Sequence, residues 1–233
     1  MTGYLLHYAP DNASLIVRLV LEELRAPYRT RLVDRSTAQQ RSDRYRALNP
    51  VGRIPALETP VGPMFETGAI VLWLADTHGD LFPAAESADR PCALSWLFFL
   101  SNTLHAELRT LFYPEQGVGP DSAAQAALRA QTRINLAHHF TLLDRAAAQG
   151  IALGDRRPTI CDLYAAALLR WSALYPVDAD RDWFRLARWP NLARLVTRID
   201  ERCSVHRVAM AEGLGPTPFS DPHLPDPPEG SAL

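Results

Sequence analysis

The stretch NPVGRIPALETPVGPMFETGAI, residues 49–70, breaks its backbone with four prolines and three glycines, yet holds a strand-like IPALE in its middle. A plain loop has no use for that strand. Proline lacks the N–H that a sheet ladder would use, so Ile54-Pro55 belongs at a strand start. X-Pro is also the one bond that takes the cis form at appreciable frequency. A cis bond there would turn the main chain of Ile54 outward, so that its N–H and C=O could pair with an extended peptide added as a further strand. PMFE (63–66) reads as a second short strand, joined to IPALE (54–58) through the turn TPVG. Downstream, Thr67 can cap a helix whose first N–H groups attract a carboxylate, and Glu66 can take an ammonium group. Together these suit a small zwitterionic peptide. The residues alone better suit a β-turn followed by an ordinary Thr-capped helix, because such caps are common.

Upstream, YLLHY (4–8) reads as a strand, LIVRLVLEEL (15–24) as a helix with apolar positions at helical spacing, and YRTRLV (28–33) as a second strand. The polar stretch 36–48 is weakly helical. TGAIVLWLADTHG (67–79) reads as a helix ending on a glycine cap. The first eighty residues therefore predict a βαβ unit followed by ββα. Residues 81–88 form a linker, and from Asp89 the periodicity is helical throughout. Leu97, Leu100, Leu104, Leu108 and Leu111 share one stripe, Ser122 to Gln149 forms an alanine-rich helix, and TICD at 159–162 has capping-box spacing ahead of a buried LYAAALLRW. WPNLARLVTRIDERC and SVHRVAMAEGL are two shorter helices. The expected organisation is α+β then α: residues 1–80 a mixed domain, 89–213 an all-helical domain, and 214–233 a proline-rich tail, extended or disordered, lying on the surface.

The chain has 233 residues, 47% of them hydrophobic, enough for a full core in two units of unequal size. Its cations are all arginine, and the formal net charge of -2 offers no broad basic field to nucleic acid or anionic lipid. Cys92, Cys161 and Cys203 are widely spaced and form no C-x-x-C pair, which argues against a disulfide scaffold, a metal site and a dithiol redox centre. No apolar run approaches the about 18 residues of a membrane helix, and the N-terminus lacks the pattern of a secretory signal. A cytoplasmic protein is expected, without membrane or nucleic-acid partners.

The βαβ-ββα order, NPVGRIPALE, FETGAIVLWLAD and the helical second half with its T-x-x-D resemble the glutathione transferase family over about residues 3 to 214. WLFFLSNTLHAELRTLF (96–112) is similar to bacterial members, beta-class-like or nu-like. The resemblance implies a thioredoxin-like domain that binds glutathione as co-substrate, with Ile54 and cis-Pro55 pairing with the cysteinyl backbone. Glu66 and Thr67 would hold the γ-glutamyl end, and Arg53 would lie near the glycyl carboxylate. By residue type alone, Arg53 is a solvated turn residue. The resemblance further implies a homodimer whose helical domain supplies a pocket for a second, electrophilic or peroxide or disulfide substrate. The alternative is a non-catalytic member of the fold serving as a binding or assembly module.

Ser101, His105 and Arg109 follow i, i+4, i+8 spacing, which by itself describes a wet helix face. The similarity to the beta class instead sets His105 toward the glutathione thiol, with Arg109 one turn on favouring an anionic ligand or pairing near Glu107. His138 and His139 have no such support. A thiol of reference pKa about 8.5 is little ionised at neutral pH unless donors lower that value. The start of the first helix, APDNASL (9–15), offers Asn12, Ser14 and backbone N–H groups, with Tyr8 at the strand end in a supporting position. Here the chain departs from its relatives: Ala13 stands at the beta-class cysteine position. Asn12 and Ser14 are therefore the candidates for thiol activation, and either also suits a plain helix cap.

Overall fold

The computed structural model describes residues 3–150, 152–154, 157–177 and 180–232. Met1, Thr2 and Leu233, the ends of the expected first domain and tail, lie outside the described residues. The chain forms two compact units. The first runs through Ser87 and takes in Asp200–Pro218 and the stretch from His223, and the second comprises Ala88–Ile199 and Phe219–Pro222.

The first unit is built on four strands, β1 (Tyr4–Tyr8), β2 (Tyr28–Leu32), β3 (Ala56–Thr59) and β4 (Gly62–Phe65), in the order β2-β1-β3-β4. β1 and β2 run parallel, with Tyr4 opposite Tyr28 and Tyr8 opposite Leu32. Their crossover is α1 (Ser14–Glu23), whose residues 14 to 21 are all buried. α3 (Thr67–His78) packs beside α1 and ends on Gly79 in the left-handed conformation, as the glycine predicts. Between β2 and β3 lie a 3₁₀ turn (Gln39–Arg41) and the short α2 (Asp43–Arg46), capped by Ser42. The core joins Leu6 and Leu57 of the sheet to Leu15, Ile16 and Leu19 of α1 and to Ile70, Val71 and Leu74 of α3, all at 0% exposure. Burying one such side chain stabilises by about 1.5–3 kcal/mol. The mixed sheet with its helices is a thioredoxin-like domain.

The second unit is helical. It holds α4 (Arg90–Phe98), α5 (His105–Phe112), α6 (Glu115–Val118), the 28-residue α7 (Ser122–Gln149), α8 (Ile160–Leu174) and most of α9 (Pro190–Asp200). All five leucines of the predicted stripe are buried. The single helix expected around them is instead α4 and α5 joined by a π-helical segment, Phe99–Leu104. The capping box is present: the Thr159 hydroxyl accepts from the Asp162 N–H, and the Asp162 carboxylate accepts the Thr159 N–H at 2.7 Å. Behind it almost every side chain of α8 is buried, which accounts for the uninterrupted apolar run.

Two expectations about the C-terminal region change. α10 (Cys203–Glu212) belongs with the first unit, because it packs on the fully buried α1. Among the described residues the tail beyond it forms no helix or strand, yet it is anchored: the Asp226 N–H donates to the Gly213 carbonyl at 2.9 Å, and Leu214 and Phe219 are buried.

Candidate functional site

The strand registers build the candidate site. His7 faces Ala56 across the antiparallel β1–β3 pair, and Ala56 faces Phe65 across β3–β4. At that end of the sheet Tyr8 pairs with Leu32, Pro55 immediately precedes β3 and Glu66 immediately follows β4, so these four residues form a row along it. Neighbouring strands lie about 4.8 Å apart, so the three strands β1, β3 and β4 span about 10 Å at this end, the reach of a short extended peptide. This row is at the carboxyl ends of the parallel strands, where open α/β sheets take their ligands.

The Ile54-Pro55 bond is cis. Pro55 is buried and Ile54 partly buried, packed against Val33, Tyr45 and Ala56. β3 begins at Ala56, so the main chain of Ile54 lies before the ladder. A residue that the sequence reading passed over fixes this loop. Asn49, 3% exposed, donates from Nδ2 to the Arg53 carbonyl at 2.6 Å and the Pro55 carbonyl at 3.2 Å. Its Oδ1 accepts the Val51 N–H, and the Tyr45 hydroxyl donates to the same Arg53 carbonyl at 2.8 Å. The asparagine opening the proline-rich motif was the available signal, since a short amide can satisfy several turning backbone groups. Arg53 itself is exposed.

At the entry to α3 the structure corrects the expected cap. Thr67 is the first helical residue and is buried; Glu66 takes the N-cap position, and no side chain caps the helix. Glu66 is exposed and held at φ 69°, a conformation that costs a non-glycine residue about 1–3 kcal/mol. Strain of this kind persists where the surroundings impose it, and it presents the Glu66 carboxylate beside the uncapped helix start.

The first βα turn also differs from expectation. Ala13 occupies the N-cap position of α1 without a side-chain cap, so neither Asn12 nor Ser14 caps the helix. Ser14 is fully buried, and its hydroxyl donates to the Ala9 carbonyl at 3.0 Å and accepts the Ala9 N–H at 3.3 Å. It staples the turn from within. Asn12, partly exposed, accepts the Ala13 N–H at 2.8 Å. Asp11, at φ 48°, is held by α10: its N–H donates to Glu212 Oε2 at 2.9 Å, while Arg18 donates to Glu212 Oε1 at 3.2 Å. Burial pushes the Glu212 carboxyl up to about 7, against the pull of Arg18 and the Asp11 N–H. The Arg18 guanidinium lies 5.1 Å from the centre of the Tyr8 ring. The Tyr8 hydroxyl donates to the carboxylate of Glu229, and burial together with that bond raises its pKa well above the ordinary tyrosine value.

In the helical unit, His105 Nδ1 shares a 2.9 Å hydrogen bond with the Tyr164 hydroxyl, and its ring lies 5.4 Å from that of Trp171. The ring is half-buried, between the core and the wet face that the spacing describes. Burial holds its pKa down at about 4, with a smaller contribution from Arg109. Arg109 reaches Gln116 at 2.5 Å and lies over Tyr113, while Glu107 meets His139 and Asn135. Ser101 bonds within its own turn, to the Phe98 carbonyl and Asn102.

Comparison with known proteins accords with this thioredoxin-like class. Residues 1–76 match the family model described as glutathione S-transferase, N-terminal domain. Glutathione S-transferase GstA of Escherichia coli O157:H7 is 29% identical over 213 residues, covering 90% of this chain and 98% of that protein. A bacterial beta class glutathione S-transferase of Sphingomonas chungbukensis superposes with a TM-score of 0.71 at 27% identity, over 90% of this chain and 98% of the other. A glutathione transferase of Burkholderia graminis, solved with two glutathione molecules bound per subunit, gives a TM-score of 0.76 at 25% identity, over 88% of this chain and 87% of the other. Residues 1–76 thus carry the glutathione S-transferase N-terminal pattern, and over most of its length the chain is similar to glutathione transferases.

Proposed function

We propose that this protein is a glutathione transferase that binds glutathione along the row formed by Tyr8, Pro55 and Glu66 and activates its thiol for attack on an electrophilic, peroxide or disulfide substrate. The observation that carries the reading is that row: the main chain of Ile54 lies before the β3 ladder, and at the same end of the sheet α3 starts without a side-chain cap behind a Glu66 held at φ 69°. The cysteinyl main chain pairs with Ile54, and the N–H groups and Thr67 at the start of α3 hold the γ-glutamyl carboxylate. Glu66 takes the ammonium group, and Arg53 meets the glycyl carboxylate. The sulfur then comes to the β1–α1 turn, where Asn12, the uncapped first turn of α1 and the Tyr8 hydroxyl are the donors that favour a thiolate. Ser14 leaves that set, because both of its hydrogen bonds serve the turn.

The catalytic part of His105 and a homodimer are proposed from the resemblance alone, with Arg109 in a supporting position, and a cytoplasmic location from the three widely spaced cysteines. Isothermal titration with glutathione, paired with turnover of a model electrophile, tests the reading. Binding with turnover supports a transferase, whereas absence of glutathione binding removes it and leaves the non-catalytic binding or assembly module.

A further inference from the structure

The tail returns to the end of the sheet where the candidate site lies. Asp226 bonds to Gly213 at the end of α10, and an added Cβ on Gly213 would meet the Asp226 carbonyl oxygen at 1.9 Å. Only glycine allows that approach. Three residues on, Glu229 accepts the Tyr8 hydroxyl. Gly230, at φ 76°, fits so closely that a Cβ there would stand 2.6 Å from Leu32 Cδ1 and 3.3 Å from Pro10 Cδ. Arg35 then holds the Ala232 carbonyl. Leu32 and Tyr8 are the first two members of the row that continues to Pro55 and Glu66. The segment thus has four separate attachments, and two of them engage the row itself.

We propose that residues 226–232 form an autoinhibitory strap, with the Glu229 carboxylate occupying the acceptor position at Tyr8 that the sulfur of a bound thiol would otherwise take. The proposal rests on the reading of the row as a glutathione site. A carboxylate and a thiolate are both anionic acceptors, and one hydroxyl proton serves one of them. Glutathione therefore binds fully only when Glu229 withdraws. The apparent affinity is the intrinsic affinity reduced by the fraction of molecules with the strap open. By linkage, glutathione must in turn favour the open strap.

The test uses the full-length chain in three forms: unchanged, Glu229→Ala, which removes the acceptor, and Gly230→Val, which denies the segment its seat while leaving Glu229 in place. Glutathione affinity is measured by calorimetry, and trimming of the C-terminus by carboxypeptidase is followed by intact mass. If the strap is open about one-tenth of the time, both variants bind glutathione about tenfold more tightly than the unchanged protein. They are also trimmed faster, and glutathione speeds trimming of the unchanged chain. Equal affinities in all three forms overturn the strap and leave the glutathione site standing. Absence of binding in all three, with trimming still faster in the variants, overturns the glutathione reading and the autoinhibition with it. Slower trimming on adding glutathione also overturns the proposal, since the segment would then close over its ligand rather than compete with it.

Discussion

The buried carboxylate of Glu212 accepts the backbone N–H of Asp11, 201 residues away in the chain, and so ties the last helix to the turn that begins the first. Its carboxyl titrates near 7 in the fold against 4.5 for the free side chain, because burial disfavours the charged form. A folded pKa above the unfolded one gives stability that is full below pH 4.5 and lost as pH rises through about 7. The unchanged protein is expected to lose stability across this window relative to Glu212→Gln, by on the order of a few kcal/mol. Urea unfolding at several pH values reads the effect. Parallel curves for the two proteins would show that Arg18 keeps Glu212 ionised throughout.

Asn49→Ala removes two bonds to the carbonyls of Arg53 and Pro55 in a buried setting. The Arg53 carbonyl keeps the Tyr45 hydroxyl, but the Pro55 carbonyl loses its amide donor at about 1–3 kcal/mol, so the variant should unfold at clearly lower denaturant concentration. Glutathione affinity should fall as well, because the loop presenting Ile54 loses its anchor. A stability loss with unchanged affinity would separate the loop from the ligand.

Glu66→Gly should move stability and binding in opposite directions. Glycine adopts φ near 69° without strain, which favours the fold by about 1 kcal/mol. Loss of the carboxylate removes a hydrogen bond to a charged group, about 1.5–3 kcal/mol or roughly ten- to a hundredfold in affinity. Thr67→Ala should weaken binding over the same range, and since Thr67 is not the helix cap, no capping loss accompanies it. Calorimetry and thermal unfolding of both variants check the pair.

Much of this site was readable because local chemistry specified it. Tyr4–Tyr8, Ser122–Gln149, the start of α3 at Thr67, Gly79 and the capping box at Thr159 each follow from spacing or one special residue. The strand pair around TPVG was found, although IPALE placed its first strand two residues early, since Pro55 precedes the ladder instead of joining it. The π-helical segment left no trace, because leucines at 97, 100, 104 and 108 keep ordinary helical spacing through it. Contacts between distant segments were also out of reach. Nothing local marks Glu212 as the partner of Asp11 or Glu229 as the partner of Tyr8, and composition alone described the tail as extended.

His105 should leave no ionisation near 6.5 in the pH dependence of any activity, because burial holds its pKa near 4. The sign for stability follows: with a folded pKa below the unfolded value, the unfolded chain takes up the proton first. Stability is then lost as pH falls from about 6.5 toward 4. His105→Asn removes that dependence and should flatten the acid limb of unfolding. For catalysis, the variant should lower turnover more than glutathione affinity if the ring acts on developing charge. Equal losses would assign His105 to holding Tyr164 in place.

The protein is expected not to hold glutathione through a mixed disulfide in the candidate site. Ala13 stands at the turn where the resemblance calls for cysteine. Cys161 is fully buried with its thiol pKa raised by burial, so it is protonated and shielded from exchange. Cys203 belongs to the first unit, at the start of α10, where the neighbouring Arg202 and Ser204 both bond Glu23 at the far end of α1. Glu212, at the opposite end of α10, meets Asp11 beside the turn. A helix of ten residues spans about 15 Å, which separates the Cys203 sulfur from that turn. Incubation with oxidised glutathione followed by intact mass and peptide mapping checks the expectation. Modification confined to the exposed Cys92 or Cys203, with glutathione affinity unchanged, agrees with noncovalent binding at the row. An adduct on either sulfur that abolishes glutathione binding would require a cysteine at the site and would displace Asn12, Tyr8 and the start of α1 as the groups that activate the thiol.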